Sequence, residues 1–160
     1  MGRASNLGDL DATGQAELVR RGEVSALELV DDAIGKIERL NPTLNAVIHK
    51  HFERARTQTA GALPDGPFRG VPFLLKDLGG ATLKGDPNNY GTRFLRNADY
   101  RAPSTSYLVE KFLDAGLVVV GEPMRRNLGH GPRRNPRFLA LKRNFSRYCN
   151  SGNPEIGVTA

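Results

Sequence analysis

Apolar and polar residues near the start of the chain recur at helical spacing, and the pattern predicts a first helix after Asp11. Thr13 with Glu17 nearby is typical of a helix start. The predicted apolar face of this helix consists of Ala16, Leu18 and Val19. Gly22 is expected to end it, because glycine is a poor helix former.

A second, longer helix is predicted from Ser25 onward. Ser25 and Glu28 have the spacing of a capping box, in which each side chain satisfies a backbone N–H of the other residue. The apolar stripe that follows consists of Leu27, Val30, Ile34, Ile37 and Leu40. Asn41-Pro42 is expected to end the helix, because proline disfavours helical geometry in the residue before it.

Short apolar runs bounded by turn residues predict strands further along the chain. These runs cover residues 44–48, 71–76 and 117–120, and the last is β-branched, as in a strand buried on both faces. Helices are predicted at 52–60 and 103–115, and Gly/Pro-rich or polar loops at 61–67 and 79–91. The order of strand, loop, helix and strand predicts a crossover unit of an α/β sheet.

Charge divides the chain into two regions. The net charge of +6 lies entirely in residues 122–160, which hold eight Lys or Arg and two acids. This basic segment has no clear helical or strand period, and we expect it to be disordered. The predicted organisation is therefore a folded region at 1–121 and a basic tail at 122–160.

Composition excludes several classes of protein. The chain has 160 residues with 39% hydrophobic content, which suits one globular domain. Its single cysteine, Cys149, excludes an internal disulfide and a cysteine-rich metal site. No apolar run is long enough for a transmembrane helix, and the polar N-terminus lacks the apolar core of a signal peptide. We expect a cytoplasmic protein without cofactor, metal or membrane partner.

Lys76 is the residue that most strongly suggests chemistry. It ends the run Val-Pro-Phe-Leu-Leu, which offers no polar partner to an ammonium group. Burial there would lower the pKa of the amine, and a neutral lysine can act as a base. The alternative is that Lys76 extends into water, as lysines at strand ends commonly do. Asp77 could orient or solvate Lys76, although adjacent strand residues point to opposite faces.

Several motifs in this order resemble the N-terminal part of an amidase signature family enzyme. They are Leu-Asp-Ala-Thr at 10–13, Leu-Asn-Pro at 40–42, Gly-Val-Pro-Phe-Leu-Leu-Lys-Asp at 70–77, Gly-Thr-Arg-Phe at 91–94 and Leu-Asp-Ala-Gly at 113–116. The resemblance implies an α/β/α sandwich around a large mixed sheet, of which this chain would hold only a part. It also implies a small-molecule amide substrate.

The resemblance further implies that Lys76 is the lysine of a Ser–cis-Ser–Lys triad. In such a triad the neutral lysine draws a proton from the nucleophilic serine through a bridging serine. Backbone N–H groups of a Gly/Ser-rich loop stabilise the oxyanion. Residues 122–160 contain no such loop, and neither Ser146 nor Ser151 matches it. The chain is therefore expected to be inactive by itself.

The departure from the family after Gly121 has the form of a changed reading frame. The family usually continues Gly-(Lys/Arg)-Thr-Asn-x-Pro-Glu-(Leu/Phe)-Gly and then, three residues later, Thr-Thr-Glu-Pro. Removing one nucleotide from a reconstructed run for the first motif gives the residues found at 121–129. The same shift converts Thr-Thr-Glu-Pro into the Arg-Arg-Asn-Pro found at 133–136. The hypothesis is a frameshift near Glu122.

Two alternatives keep a function for the chain as it stands. In one, an unconventional nucleophile such as Ser104, Ser106 or Ser146 makes it an active amidase. In the other, the tail is a nucleic-acid-binding module, with its basic residues on phosphates and its aromatic residues stacked on bases. Those aromatic residues are Phe138, Phe145 and Tyr148. Aberrant-frame coding explains the tail without a nucleic-acid partner, and we prefer it.

Two further features have ordinary explanations in the sequence. His49 and His51 flank Lys50 near a predicted helix start, and we expect a solvated pair and not a metal site. Residues 85–91 form a turn-rich connector, which by family analogy could shape a substrate entrance.

Overall fold

The computed structural model describes residues 7, 10–76 and 80–123. The helices are α1 Ala12–Arg20, α2 Ala26–Leu44, α3 Phe52–Ala60, α4 Arg93–Asn97 and α5 Tyr107–Asp114. The strands are β1 Val47–Lys50, β2 Pro72–Leu74 and β3 Val118–Pro123. Each predicted helix and strand has a counterpart, although the strand predicted at 44–48 lies at 47–50, and within the described residues the short α4 was missed. The remainder of the predicted tail, 124–160, lies outside the described residues.

The long helix α2 begins as predicted and ends later. Ser25 N donates to Glu28 Oε2 at 2.8 Å, and Glu28 N donates to Ser25 Oγ at 3.2 Å. The bond from the Ser25 backbone, followed by that from the Ser25 hydroxyl to Glu28 Oε2, holds the pKa of Glu28 below its usual value. The predicted stop at Asn41-Pro42 is wrong, because Pro42 is accommodated in the last turn and Asn45 caps the helix in the left-handed conformation.

Asn41 turns the chain from α2 into β1. Its side-chain oxygen accepts from the backbone N–H groups of Ala46 and Val47 at 2.8 Å each, and its amide donates to Val47 O at 2.9 Å. One side chain therefore satisfies three backbone groups of the turn between α2 and β1.

The three strands form one mixed sheet in the order β1-β3-β2. β1 pairs antiparallel with β3, and β2 pairs parallel with it across the crossover that contains α4 and α5. Val118, Val119 and Val120 are at most 2% exposed, so the central strand is buried on both faces as predicted. The α/β class with a mixed sheet is confirmed.

The main core lies between α2 and β3. Val30, Ile34 and Ile37 pack in one cluster with Val118 and Val120. The predicted apolar stripe is wrong at its first member, because Leu27 is 39% exposed. Ala26, four residues before Val30, continues the face instead and packs against the cluster. The part of the chain that the structure describes has no helix both long and apolar enough to cross a membrane.

Gly116 is expected to be one of the least replaceable residues of this fold. It has φ of +92°, and a Cβ there would lie 2.6 Å from Arg69 Cα. We expect Gly116→Ala to lower the free energy of unfolding by about 3 kcal/mol or more, because both strain and a backbone clash are introduced. Urea unfolding followed by circular dichroism measures the change.

The matched control is Gly35→Ala on α2, where nothing lies within 4 Å of the added methyl group. This substitution is expected to raise the free energy of unfolding by up to about 1 kcal/mol. Equal urea midpoints for the two variants would contradict the steric argument.

Candidate active site and carboxylate cluster

Lys76 lies just beyond the carboxyl end of β2. Leu75 N donates to Gly121 O at 3.0 Å, so this end of β2 is tied to the corresponding end of β3. Parallel strands of α/β sheets carry their functional residues at this edge. Of the two alternatives for Lys76, burial or extension into water, the described chain has the second, since its side chain is exposed although Leu75 is 2% exposed. Asp77 lies outside the described residues.

The position of β2 is fixed from both sides. Gly70, with φ of +80°, passes so close to α2 that a Cβ would lie 2.6 Å from Ala26 Cβ. Phe73 makes an edge-to-face contact with Phe112 of α5, with ring centroids 5.2 Å apart. The backbone that carries Lys76 is therefore held by packing, even though the lysine side chain itself is exposed.

Two of the serines considered as unconventional nucleophiles bond to Thr82. Ser106 precedes α5, and its Oγ accepts from Thr82 N at 3.2 Å while its N–H donates to Thr82 O at 2.9 Å. Ser104 is exposed, and its backbone oxygen accepts from Thr82 Oγ1 at 3.1 Å. These bonds attach the segment before α5 to the loop after β2. Ser146 lies outside the described residues.

A second group of polar residues lies at the other edge of β3, beside β1. His51 Nε2 is 3.3 Å from Asp86 Oδ2 and 3.4 Å from Glu122 Oε1. Their side chains are only 12%, 10% and 5% exposed, respectively. We call these three residues the His51–Asp86–Glu122 cluster. Arg54 of α3 binds both Asp86 oxygens, with Nη2 2.8 Å from Oδ2.

The cluster has more acceptors than donors. Glu122 Oε2 and Asn88 Oδ1 are buried and have no hydrogen-bond partner within the described residues. Both residues line one small crevice, together with Asp86 and Ala102. A buried acceptor without a partner costs about 1–3 kcal/mol, and more when it is charged. Within the described residues, these two acceptors therefore lack a positive or hydrogen-bond-donating partner.

Sequence reasoning missed this cluster, and the prediction of a solvated histidine pair is wrong. His49 lies within hydrogen-bond distance of the buried Asn89, 3.0 Å from its Nδ2, and His51 contacts the two carboxylates. The connector 85–91 is the reason, because it folds inward and buries Asp86, Asn88 and Asn89. Its main chain bonds to residues 100–102, including Ala102 N to Asp86 O at 2.9 Å. No residue spacing in the sequence indicates that the connector pairs with residues 100–102.

Comparisons with known proteins bear on the whole folded region. The Amidase family model matches residues 28–132, well over half of the chain. The chain belongs to the amidase family. The prediction of an N-terminal part of an amidase signature enzyme is thereby confirmed.

Individual relatives agree with this membership. The amidase-family chain is 40% identical over 134 residues to the 6-aminohexanoate-cyclic-dimer hydrolase of Paenarthrobacter ureafaciens, covering 84% of this chain and 27% of that protein. It is 44% identical over 115 residues to the lipoamidase of Enterococcus faecalis, covering 71% of this chain and 15% of that protein.

Solved structures agree as well. A structure of 6-aminohexanoate cyclic dimer hydrolase superposes with a TM-score of 0.70 at 41% identity, covering 76% of this chain and 25% of that chain. A bacterial aryl acylamidase superposes with a TM-score of 0.67 at 29% identity, covering 78% of this chain and 27% of that chain. The chain thus spans about a quarter of the length of the hydrolases it matches.

Proposed function

We propose that the chain carries the base half of an amide-hydrolysing site and that catalysis is not complete within its 160 residues. The observation that carries the proposal is the position of Lys76 at the carboxyl edge of two paired parallel strands, within the Gly-Val-Pro-Phe-Leu-Leu-Lys segment. Neither serine of the triad can be assigned between residues 122 and 160. The proposed substrate is a small amide, and the proposed location is the cytoplasm.

The proposed chemistry assigns one step to this chain. Lys76, neutral when covered by the rest of a complete domain, accepts the proton of a bridging serine as that serine takes the proton of the nucleophile. The nucleophilic oxygen then bonds to the amide carbon, and the C–N bond breaks as the amine leaves with a proton. Water releases the acyl group and restores the serine. Without the two serines, Lys76 has no proton to accept.

We also propose that a frame change after Gly121 produced residues 122–160 as a separate, aberrant segment. Two observations support it besides the two shifted motifs. The shift leaves Leu128-Gly129 equal to the Leu-Gly of the family motif, which is compatible with a family match that extends to residue 132. In addition, Glu122 places a buried carboxylate beside Asp86 at the position where the family motif has Lys or Arg.

The decisive experiment is the nucleotide sequence of the gene from codon 121 onward. We expect the alternative frame to encode the family motif and then a Gly/Ser-rich loop with two serines. Without such a loop in any frame, the frameshift proposal is wrong.

A second measurement tests the predicted inactivity of the chain itself. We expect no hydrolysis of 6-aminohexanoate cyclic dimer or of a lipoyl amide above background, and no difference between the chain and Lys76→Ala. These substrates are those named for the relatives. Hydrolysis that disappears with Lys76→Ala would show instead that the chain is an active amidase with an unconventional nucleophile.

A further inference from the structure

The His51–Asp86–Glu122 cluster has the donor set and spacing of a metal site. One ligand atom from each of the three residues can be chosen such that all lie within 4.8 Å of one another. The distances from His51 Nε2 to the two carboxylate oxygens are 3.3 and 3.4 Å. Ligands bound at 2.0–2.1 Å in a tetrahedral arrangement are separated by about 3.3–3.4 Å, and the two distances from His51 fit this spacing.

Burial and missing partners distinguish this cluster from an ordinary surface ion pair. Glu122 is 4% exposed and has a carboxylate oxygen without a partner, while its other oxygen faces His51. Asn88 adds a second unpartnered acceptor on the same crevice. Among the described residues, the two buried carboxylates face one guanidinium, that of Arg54, and a neutral His51 leaves them undercompensated unless a further cation is present.

We propose that His51, Asp86 and Glu122 bind one divalent transition-metal ion, with zinc favoured. An imidazole nitrogen with two carboxylate oxygens suits zinc, whereas calcium and magnesium prefer oxygen ligands alone. Arg54 fixes the Asp86 carboxylate through both oxygens and so orients this ligand. The proposal does not depend on amide hydrolysis, but its ligand Glu122 is the first residue that the proposed frame change introduces.

Zinc binding to the full-length, untagged and chelator-treated chain tests the proposal by isothermal titration. We expect about one zinc per chain and a rise of roughly 10 °C in the midpoint of thermal unfolding at saturating zinc. Cobalt in place of zinc is expected to give the visible bands of a four-coordinate ion without a thiolate charge-transfer band.

Glu122→Gln is the matched variant, since it keeps the size of the side chain and removes one ligand. It is expected to weaken zinc binding by at least about 100-fold, because loss of an outer partner alone costs 10–100-fold. The double variant His130→Ala/Cys149→Ser removes the only histidine and the only cysteine of residues 122–160. It is expected to bind zinc with the same affinity as the parent chain.

Two outcomes would overturn the proposal. One is the absence of zinc binding to a chain whose circular dichroism shows the folded state. The other is binding that survives Glu122→Gln and disappears in the double variant, because the metal would then lie in the tail.

Discussion

Restoring the reading frame after Gly121 is expected to produce a chain that hydrolyses amides, and Lys76→Ala in that chain to lower kcat by about 10²–10⁴-fold. The restored segment would supply the Gly/Ser-rich loop and the residues that cover Lys76, which is exposed in the described chain. Removing the base leaves the serine hydroxyl a weak nucleophile. KM is expected to change little, because the lysine acts on the proton and not on substrate binding.

Steady-state hydrolysis of 6-aminohexanoate cyclic dimer by the restored chain and its variants provides the measurement. Lys111→Ala is the matched control, because Lys111 lies on the exposed side of α5 in a surface ion pair with Asp114. Equal kcat for the Lys76 and Lys111 variants would show that Lys76 is not the catalytic base. A restored chain that folds and has no activity on any amide would count against the proposed origin of the tail.

The second large effect is expected at Glu122 of the chain as it stands. Glu122→Arg is expected to raise the free energy of unfolding of the metal-free protein by about 2–4 kcal/mol. The substitution removes a buried carboxylate without a full set of partners and places a guanidinium beside Asp86. Urea unfolding in the presence of a chelator measures the change.

Glu38→Arg on the exposed side of α2 controls for the change in net charge and is expected to have an effect within about 0.5 kcal/mol. The Glu122 variant is also expected to bind no zinc at the cluster, since it lacks one of the three ligands. If the Glu122→Arg chain is less stable than the parent, the charges of Asp86 and Glu122 are already compensated by their existing partners.

Local patterns were sufficient for most of the secondary structure. Ser25 with Glu28 located the start of α2, and α3 occupies the predicted residues, because capping and apolar spacing act within a few residues. The end of α2 was misplaced, since the Asn41 side chain bonds to backbone that only the following turn brings near. The short α4 was missed because five residues carry too little periodicity.

The two sites also differ in how much of each could be predicted from the sequence. Lys76 was found from its neighbours in the chain, but its exposure depends on which other segments cover it. The cluster was not found at all, because His51, Asp86 and Glu122 are far apart in sequence and no motif links them. His51 follows β1, Asp86 lies on an inward-folded connector, and Glu122 is the last residue but one of the central strand.

The sequence by itself determined the family, the order of the helices and strands other than the short α4, and the lysine that carries the expected chemistry. Each of these depends on spacing within a short segment or on motifs in a fixed order. The tertiary structure alone decided that Lys76 is exposed and that Glu122 is buried against Asp86 and His51. Burial and charge compensation depend on contacts between distant segments, and only the folded chain brings those segments together.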